Sequence, residues 1–182
     1  MDTEGNLAAV TQTVNTIFGS KFVAAGTGVM LNNEMDDFSA KPGEPNAYGL
    51  IGGDANAIQP GKRPLSSMTP TFVIGEEDVA VLGTPGGSRI ITMVMLGILD
   101  YFDGNDVKSW TALPRYHHQY VPDVLFYEPG AFSPEVVPGL IARGHKLKEL
   151  KYKWGNMNAA SWNKQTGETT ASTDPRGEAA IR

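Results

Sequence analysis

Residues 90–102, IITMVMLGILDYF, are apolar nearly all round a helical projection, and a helix of that pattern belongs in the middle of a fold. Two short β-rich apolar runs precede it, at residues 71–74 and 78–82, joined by Gly75-Glu76-Glu77 in the manner of a hairpin. Between hairpin and helix lies Gly83-Thr84-Pro85-Gly86-Gly87-Ser88-Arg89. Gly86 and Gly87 let backbone N–H groups approach a bound group with no side chain in the way. The helix N-terminus behind them adds partial positive charge. The spacing is not that of a phosphate-binding GxxxxGK[ST] loop. An oxyanion-binding loop fits these residues, and so does a plain tight turn from strand to helix.

Composition narrows the classes of function. The chain has 182 residues, 41% of them hydrophobic, which suits one domain over residues 1–182 with a real core. No repeat or linker divides it. The net charge is -5 and no lysine–arginine cluster has the density of a nucleic-acid footprint. The densest basic run, Lys146, Lys148, Lys151 and Lys153, reads as the solvent face of a strand or loop. The absence of cysteine excludes disulfides, thiolate metal ligation and a cysteine nucleophile. No run reaches the roughly 18 apolar residues of a membrane span, and the first residues do not have the basic start and apolar middle of a signal peptide. His117 and His118 are adjacent, unlike metal ligands at ordinary spacing, so a structural role is expected. The glycines at 49, 52 and 53 lack the strand and helix context of a dinucleotide fold. Neither a metal nor a cofactor is expected.

In chain order, residues 2–6 read as a turn and residues 7–15 as a strand. Ala8, Val10 and Val14 would lie on its apolar face, with Thr11, Thr13 and Asn15 on the other. A short strand is expected at 22–24. Residues 31–39 set Glu34, Asp36, Asp37, Asn32 and Asn33 between Leu31 and Phe38, a pattern expected of a polar pocket wall. The turn-forming residues 40–46 behind it read as a flap. Ser66 and Ser67 sit between prolines 64 and 70, which fix the backbone around them. Further helices are expected at 105–113, ended by Pro114, and from Ser133 to Gly144. Late strands are expected at 146–154 and 158–172, the second turning at 163–167. Residues 173–176 read as the exit from the fold.

Taken together, these stretches resemble the small subunit of the γ-glutamyltranspeptidases. The motifs are LNNEMDDFSAKPG at 31–43, GGDANA at 52–57, KRPLSSMTP at 62–70, GTPGGSRII at 83–91, PRYHHQ at 114–119 and DPR at 174–176. They run in family order through essentially the whole chain. The resemblance implies an α+β fold, the small-subunit portion of the αββα four-layer sandwich of the N-terminal nucleophile (Ntn) hydrolases. It implies a precursor, or zymogen, that cuts itself into a heterodimer, with the new N-terminal threonine of the small subunit as nucleophile and its own α-amine as base. The implied substrates are γ-glutamyl amides such as glutathione, with water or an amino acid or peptide taking the acyl group. The implied partner is the large subunit of the same precursor, and the implied placement is periplasmic or extracellular.

The family's roles carry over by matching motif. Thr13 matches the threonine that orients the nucleophile, and Asn15 with Asp37 the pair that grips the donor's α-amino group. Ser66 and Ser67 match the serines on the α-carboxylate, Gly86 and Gly87 the oxyanion donors, and Tyr48 the tyrosine of a lid. Glu34 and Asp36 are expected to hold the loop or face water. One departure stands out: the family's Thr-Thr-His strand precedes the Asp-x-x-Gly-Asn turn, whereas here Met1 precedes Asp2. The expectation is a chain without its nucleophile, inactive alone, with uncovered apolar surface that favours self-association. Two other readings stay open, a related acylase for glutaryl-type amides and a non-catalytic binding subunit that begins naturally at Met1. The 182-residue polypeptide by itself is expected to release no amine from a γ-glutamyl anilide; steady turnover by a chain verified to begin at Met1 overturns this.

Overall fold

The computed structural model describes residues 4–177, so residues 2 and 3 of the expected first turn lie outside the described residues. In chain order the regular elements are β1 (Thr71–Ile74), β2 (Asp78–Gly83), α1 (Arg89–Phe102), α2 (Val107–Ala112), β3 (Tyr116–His117), β4 (Leu125–Tyr127), α3 (Val136–Ala142), β5 (Leu147–Glu149), β6 (Asn158–Asn163) and β7 (Thr169–Thr173). The chain divides into two compact units. Gln12–Ser67 form one; Met1–Thr11 and Met68–Arg182 form the other, which carries all of these elements.

The larger unit is built on the expected hairpin. β1 and β2 pair antiparallel, Thr71 opposite Leu82, and β6 joins the far side of β2 with Val79 opposite Trp162. β7 completes an antiparallel sheet of order β1-β2-β6-β7. Alternation turns Ala80, Leu82 and Ala159 to the face where α1 packs. α1 buries Ile90, Met93, Val94 and Gly97, a spacing of three, one and three residues that keeps one stripe on the sheet. A Cβ at Gly97 would stand 2.9 Å from Leu82 Cδ1, so any side chain there would force Leu82 to shift.

α1 is not covered all round as its composition led us to expect. Ile91, Met95, Leu99 and Phe102 form a second apolar stripe that is exposed, Phe102 to 70%. The sheet buries only one side of the helix, and no described residue covers the other. α2 lies within the expected 105–113 and starts on Asp106, whose Oδ1 accepts from the N–H groups of Lys108 (3.0 Å) and Ser109 (2.9 Å). A second sheet, β3-β4-β5, has β3 antiparallel and β5 parallel to β4, with α3 in the parallel crossover. β3 and β4 were too short to show as periodicity. The strand expected at 146–154 shrinks to Leu147–Glu149. Pro138 sits in the first turn of α3, where a helix has no N–H acceptor to lose.

Residues 7–15 correct the sequence reading. They form no ladder among the described residues, and Val10, assigned to the apolar face, is 84% exposed. The expected strand at 22–24 is reduced to a single bridge, Val23 to Met30.

Residues 174–176 are not an exit but a lock. Arg115, Glu128 and Asp174 are almost wholly buried, with Arg176 against them. Asp174 Oδ2 accepts from Met157 N (3.0 Å) and from the Arg115 guanidinium, while Oδ1 accepts from Arg176 N (2.9 Å) and Nη1 (3.0 Å). Glu128 Oε1 accepts from Trp154 N (2.7 Å) and Oε2 from Arg176 Nη2 (2.6 Å). Arg115 also donates to the carbonyls of Trp154 and Thr111. Residues from α2, the end of β4, the lead into β6 and the end of β7 are thereby joined. Burial alone would push the Asp174 carboxyl up, but the backbone and guanidinium donors outweigh it and hold its pKa below the ordinary value.

Removing one member leaves a buried charge uncompensated, so Arg115→Ala is expected to cost about 3–5 kcal/mol in urea unfolding; a loss under about 1 kcal/mol, the worth of an exposed pair, overturns this. The depressed pKa of Asp174 contributes stability above its unfolded value of about 3.9, lost as the pH falls through the folded value. Asp174→Asn should therefore flatten the acid limb of the stability curve.

Candidate active site

In the smaller unit, the acidic stretch folds as a single 3₁₀ turn, Glu34–Asp37. Asn32 Oδ1 starts it by accepting Glu34 N at 3.0 Å. With three residues per turn, positions i and i+3 eclipse, and this puts the Glu34 and Asp37 carboxyls side by side. Asp36 points elsewhere and accepts the Ala47 N–H (3.2 Å), holding the flap as expected. Glu34 does not merely hold the loop or face water. Its pKa is raised by burial and then by the charge and hydrogen bond of Asp37, and its Oε1 is buried with no hydrogen-bond partner. Asp37 is also raised, chiefly by burial, with Asp36 adding and the Glu34 bond opposing. Two carboxyls so placed each hold a proton to higher pH than an isolated carboxyl does.

Thr13 and Asn15 do not share a strand face. The Thr13 hydroxyl accepts the Asn15 N–H at 2.8 Å, and Asn15 takes a left-handed φ of 72°. Such side-chain bonds compete with a ladder, and asparagine tolerates the left-handed region. The turn swings Asn15 onto the acidic stretch, where its Nδ2 donates to Asn33 O at 3.1 Å. Tyr48 comes to the same place, its hydroxyl donating to Asn15 O at 2.9 Å. Burial raises the Tyr48 phenol, and the charges of Asp37, Glu34 and Asp36 add to this. Asn46 braces the flap tip, its Oδ1 accepting from Tyr48 N (3.0 Å) and Leu50 N (2.9 Å). Beneath the flap is a cavity of about 300 Å³ lined by Asp37, Phe38, Ser39, Pro45, Ile51 and Leu65 among others.

Asn56, which the sequence offered only as part of GGDANA, links two predicted regions. Its Nδ2 donates to Asp37 O at 2.7 Å and its Oδ1 accepts from Leu65 N at 3.0 Å, next to Ser66 and Ser67. Thr13, Asn15, Asp37 and Tyr48 thus gather in one unit, and Asn56 ties the serine segment to Asp37. Sequence reasoning undervalued Glu34, Asn33 and Asn56. The three-residue interval from Glu34 to Asp37 was the available signal for the first, once a 3₁₀ turn is allowed.

Gly86 and Gly87 belong to the larger unit, with φ of 147° and 60°. A Cβ on Gly86 would stand 2.7 Å from Met93 Cε. Arg89 N and Ile90 N donate to the carbonyls of Gly86 (3.3 Å) and Gly87 (3.1 Å), so the helix begins on the glycines themselves. No backbone acceptor is found among the described residues for the N–H groups of Gly86 and Gly87. Among the described residues no group of three or more His, Asp or Glu is arranged to hold a metal ion.

The family model for γ-glutamyltranspeptidase matches residues 1–182. The chain is 49% identical over 178 residues to the glutathione hydrolase proenzyme of Escherichia coli K12, covering 97% of this chain and 30% of that one. It is 43% identical to the glutathione hydrolase proenzyme of Pseudomonas aeruginosa, covering 97% and 32%. The chain thus spans about a third of the length of these curated relatives. Among solved structures it is similar to the Helicobacter pylori γ-glutamyltranspeptidase T380A mutant, with a TM-score of 0.92, 44% identity and 97% of each chain covered.

Since Asp37 raises Glu34, Asp37→Asn is expected to lower the Glu34 titration midpoint, read by carboxyl NMR; an unmoved midpoint refutes the coupling. Both folded pKa values lie above their unfolded ones, so the pair stabilises the fold at low pH. That contribution is lost as the pH rises through the raised values, the reverse of Asp174.

Proposed function

The chain belongs to the γ-glutamyltranspeptidase family, and on that premise we propose that it is the small-subunit portion of an enzyme that cleaves γ-glutamyl amides such as glutathione. Its α+β fold is that of the Ntn-hydrolase structures it matches. The observation that carries the reading is the Glu34 and Asp37 pair, two carboxyls with raised pKa values and a buried unpartnered oxygen. Such a pair is suited to the α-ammonium of a glutamyl group, and Asn15, bonded to Asn33 of the same stretch, joins it in that role. Ser66 and Ser67, tied to Asp37 through Asn56, take the α-carboxylate.

In this reading a threonine hydroxyl, supplied from outside these 182 residues, attacks the γ-carbonyl and passes its proton to the threonine's own α-amine. Thr13 orients that threonine. The N–H groups of Gly86 and Gly87 stabilise the tetrahedral oxyanion, the C–N bond breaks, and the amine leaves with the proton. Water or an acceptor amine then attacks the resulting ester and releases the γ-glutamyl group. Tyr48 closes the flap over the bound donor. The glutaryl-acylase alternative is disfavoured because a glutaryl chain has no ammonium to offset two adjacent carboxyls.

The remainder of a longer precursor is the proposed partner. The curated relatives are about three times the length of this chain. The exposed stripe of Ile91, Met95, Leu99 and Phe102, with Phe72 and Ile74 on the open sheet face, is the apolar surface such a partner would cover. No helix among the described residues is long and apolar enough to cross a membrane. The periplasmic or extracellular placement is proposed from the family alone.

In the complete protein, glutamate and glutathione should protect against an acylating inhibitor, whereas glutarate should not; failure of both amino compounds to protect removes the γ-glutamyl assignment. Asp37→Asn should reduce kcat/KM on a γ-glutamyl anilide by ~10- to ~150-fold, the worth of a hydrogen bond to a charged group. Its effect on a glutaryl anilide should be small.

A further inference from the structure

Ser88 occupies the N-cap position of α1 and does not cap it. A capping serine takes extended dihedrals and accepts an N–H from the first turn. Ser88 instead has helical dihedrals, φ −58° and ψ −25°, and makes no capping bond. Its hydroxyl donates away from the helix, to Gln119 Oε1 at 2.8 Å.

Gln119 is itself fixed. Its Nε2 donates to Val121 O at 3.1 Å, which turns Oε1 towards Ser88 and also towards His117 Nε2 at 2.9 Å. His117 is 3% exposed, and its pKa is lowered, chiefly by burial, so the ring is neutral at pH 7. Oε1 only accepts, so the single ring proton sits on Nε2. Nδ1 is then an acceptor, and Thr92 Oγ1, one turn into α1, donates to it at 2.9 Å. The relay leaves α1 at Ser88, passes through Gln119 and His117, and returns to α1 at Thr92. Ser88 directly follows Gly86 and Gly87, and Thr92 lies in the first turn of α1 behind them.

We propose that His117 and Gln119 are positioning residues for the Gly86 and Gly87 turn. They anchor the Ser88 hydroxyl outside the helix and so hold Ser88 in its helical dihedrals, which fixes the Gly86 and Gly87 peptides immediately before it. Released from Gln119, Ser88 can take extended dihedrals and cap α1. The Gly87 peptide would rotate with it. The proposal rests on the reading of those glycines as oxyanion donors. A displacement near 1 Å at such a site costs up to about 100-fold in rate.

The test uses the complete protein containing this chain, with Ser88→Ala, Gln119→Leu, the double variant and Ser88→Thr. On γ-glutamyl p-nitroanilide each loss variant should lower kcat by ~10- to ~100-fold, with KM within about twofold. The double variant should be no worse than the poorer single one, because both cut the same bond. Ser88→Thr, which keeps the hydroxyl, should recover most of the rate. Unchanged kcat, a rise confined to KM, or multiplicative losses in the double variant overturn the proposal. If the unmodified protein turns over no γ-glutamyl amide, the functional reading fails, and hydrogen exchange over residues 84–92 decides the positioning role. Faster exchange in Ser88→Ala supports the relay, and unchanged exchange refutes it. Ser88→Ala removes one surface of a small side chain, so it keeps the test usable if Gln119→Leu does not fold.

Discussion

The larger unit depends on four charged side chains that have almost no contact with water. Arg115 and Arg176 face Asp174 and Glu128, and the backbone of residues 113, 115, 154, 157 and 176 fills the remaining donor and acceptor positions. Burying four charges is costly unless each is both paired and hydrogen-bonded, and here each is. The arrangement joins the short β3-β4-β5 sheet to the longer one, a junction that two- and three-residue strands could not hold through their ladders alone. It also accounts for Gly155, where a Cβ would run into the Arg115 guanidinium and the Met93 sulfur. Met93 in turn lies under Gly86, so the geometry of the glycine turn is continuous with the lock.

Carboxyls in the two units show opposite electrostatics. Asp174 is surrounded by donors and held anionic; Glu34 and Asp37 are partly buried beside each other and lack a cation. The first arrangement is complete within the chain. The second is the arrangement proposed above for the α-ammonium of a donor.

Most of the larger unit was legible in the sequence because its elements are long enough to show a period. The β1 and β2 hairpin, α1, α2 and the β6 and β7 hairpin all fall where apolar spacing and turn residues put them. β3 and β4 were missed because two or three residues have no measurable period. Residues 7–15 misled for the opposite reason: they alternate cleanly, but the Thr13 hydroxyl and the left-handed Asn15 redirect the backbone. The candidate site was legible only in part. Asp37, Tyr48 and the two glycines were assigned by motif match alone. The adjacency of Glu34 depends on a 3₁₀ turn, and the bridging by Asn56 on a fold of the loop that no local pattern announces. Residues 174–176 read as an exit from the fold because three residues cannot reveal that their charges face Arg115, some sixty positions earlier.

The raised pKa values of Glu34 and Asp37 mean that a cation approaching the pair competes with protons for it. Where the pair holds a proton, occupancy is an exchange of one positive charge for another, and the local charge of the turn changes little. Over the pH range in which the pair is protonated, each binding event releases a proton to solvent. Its apparent heat therefore carries the ionisation enthalpy of the buffer, and the affinity climbs as the medium becomes more alkaline.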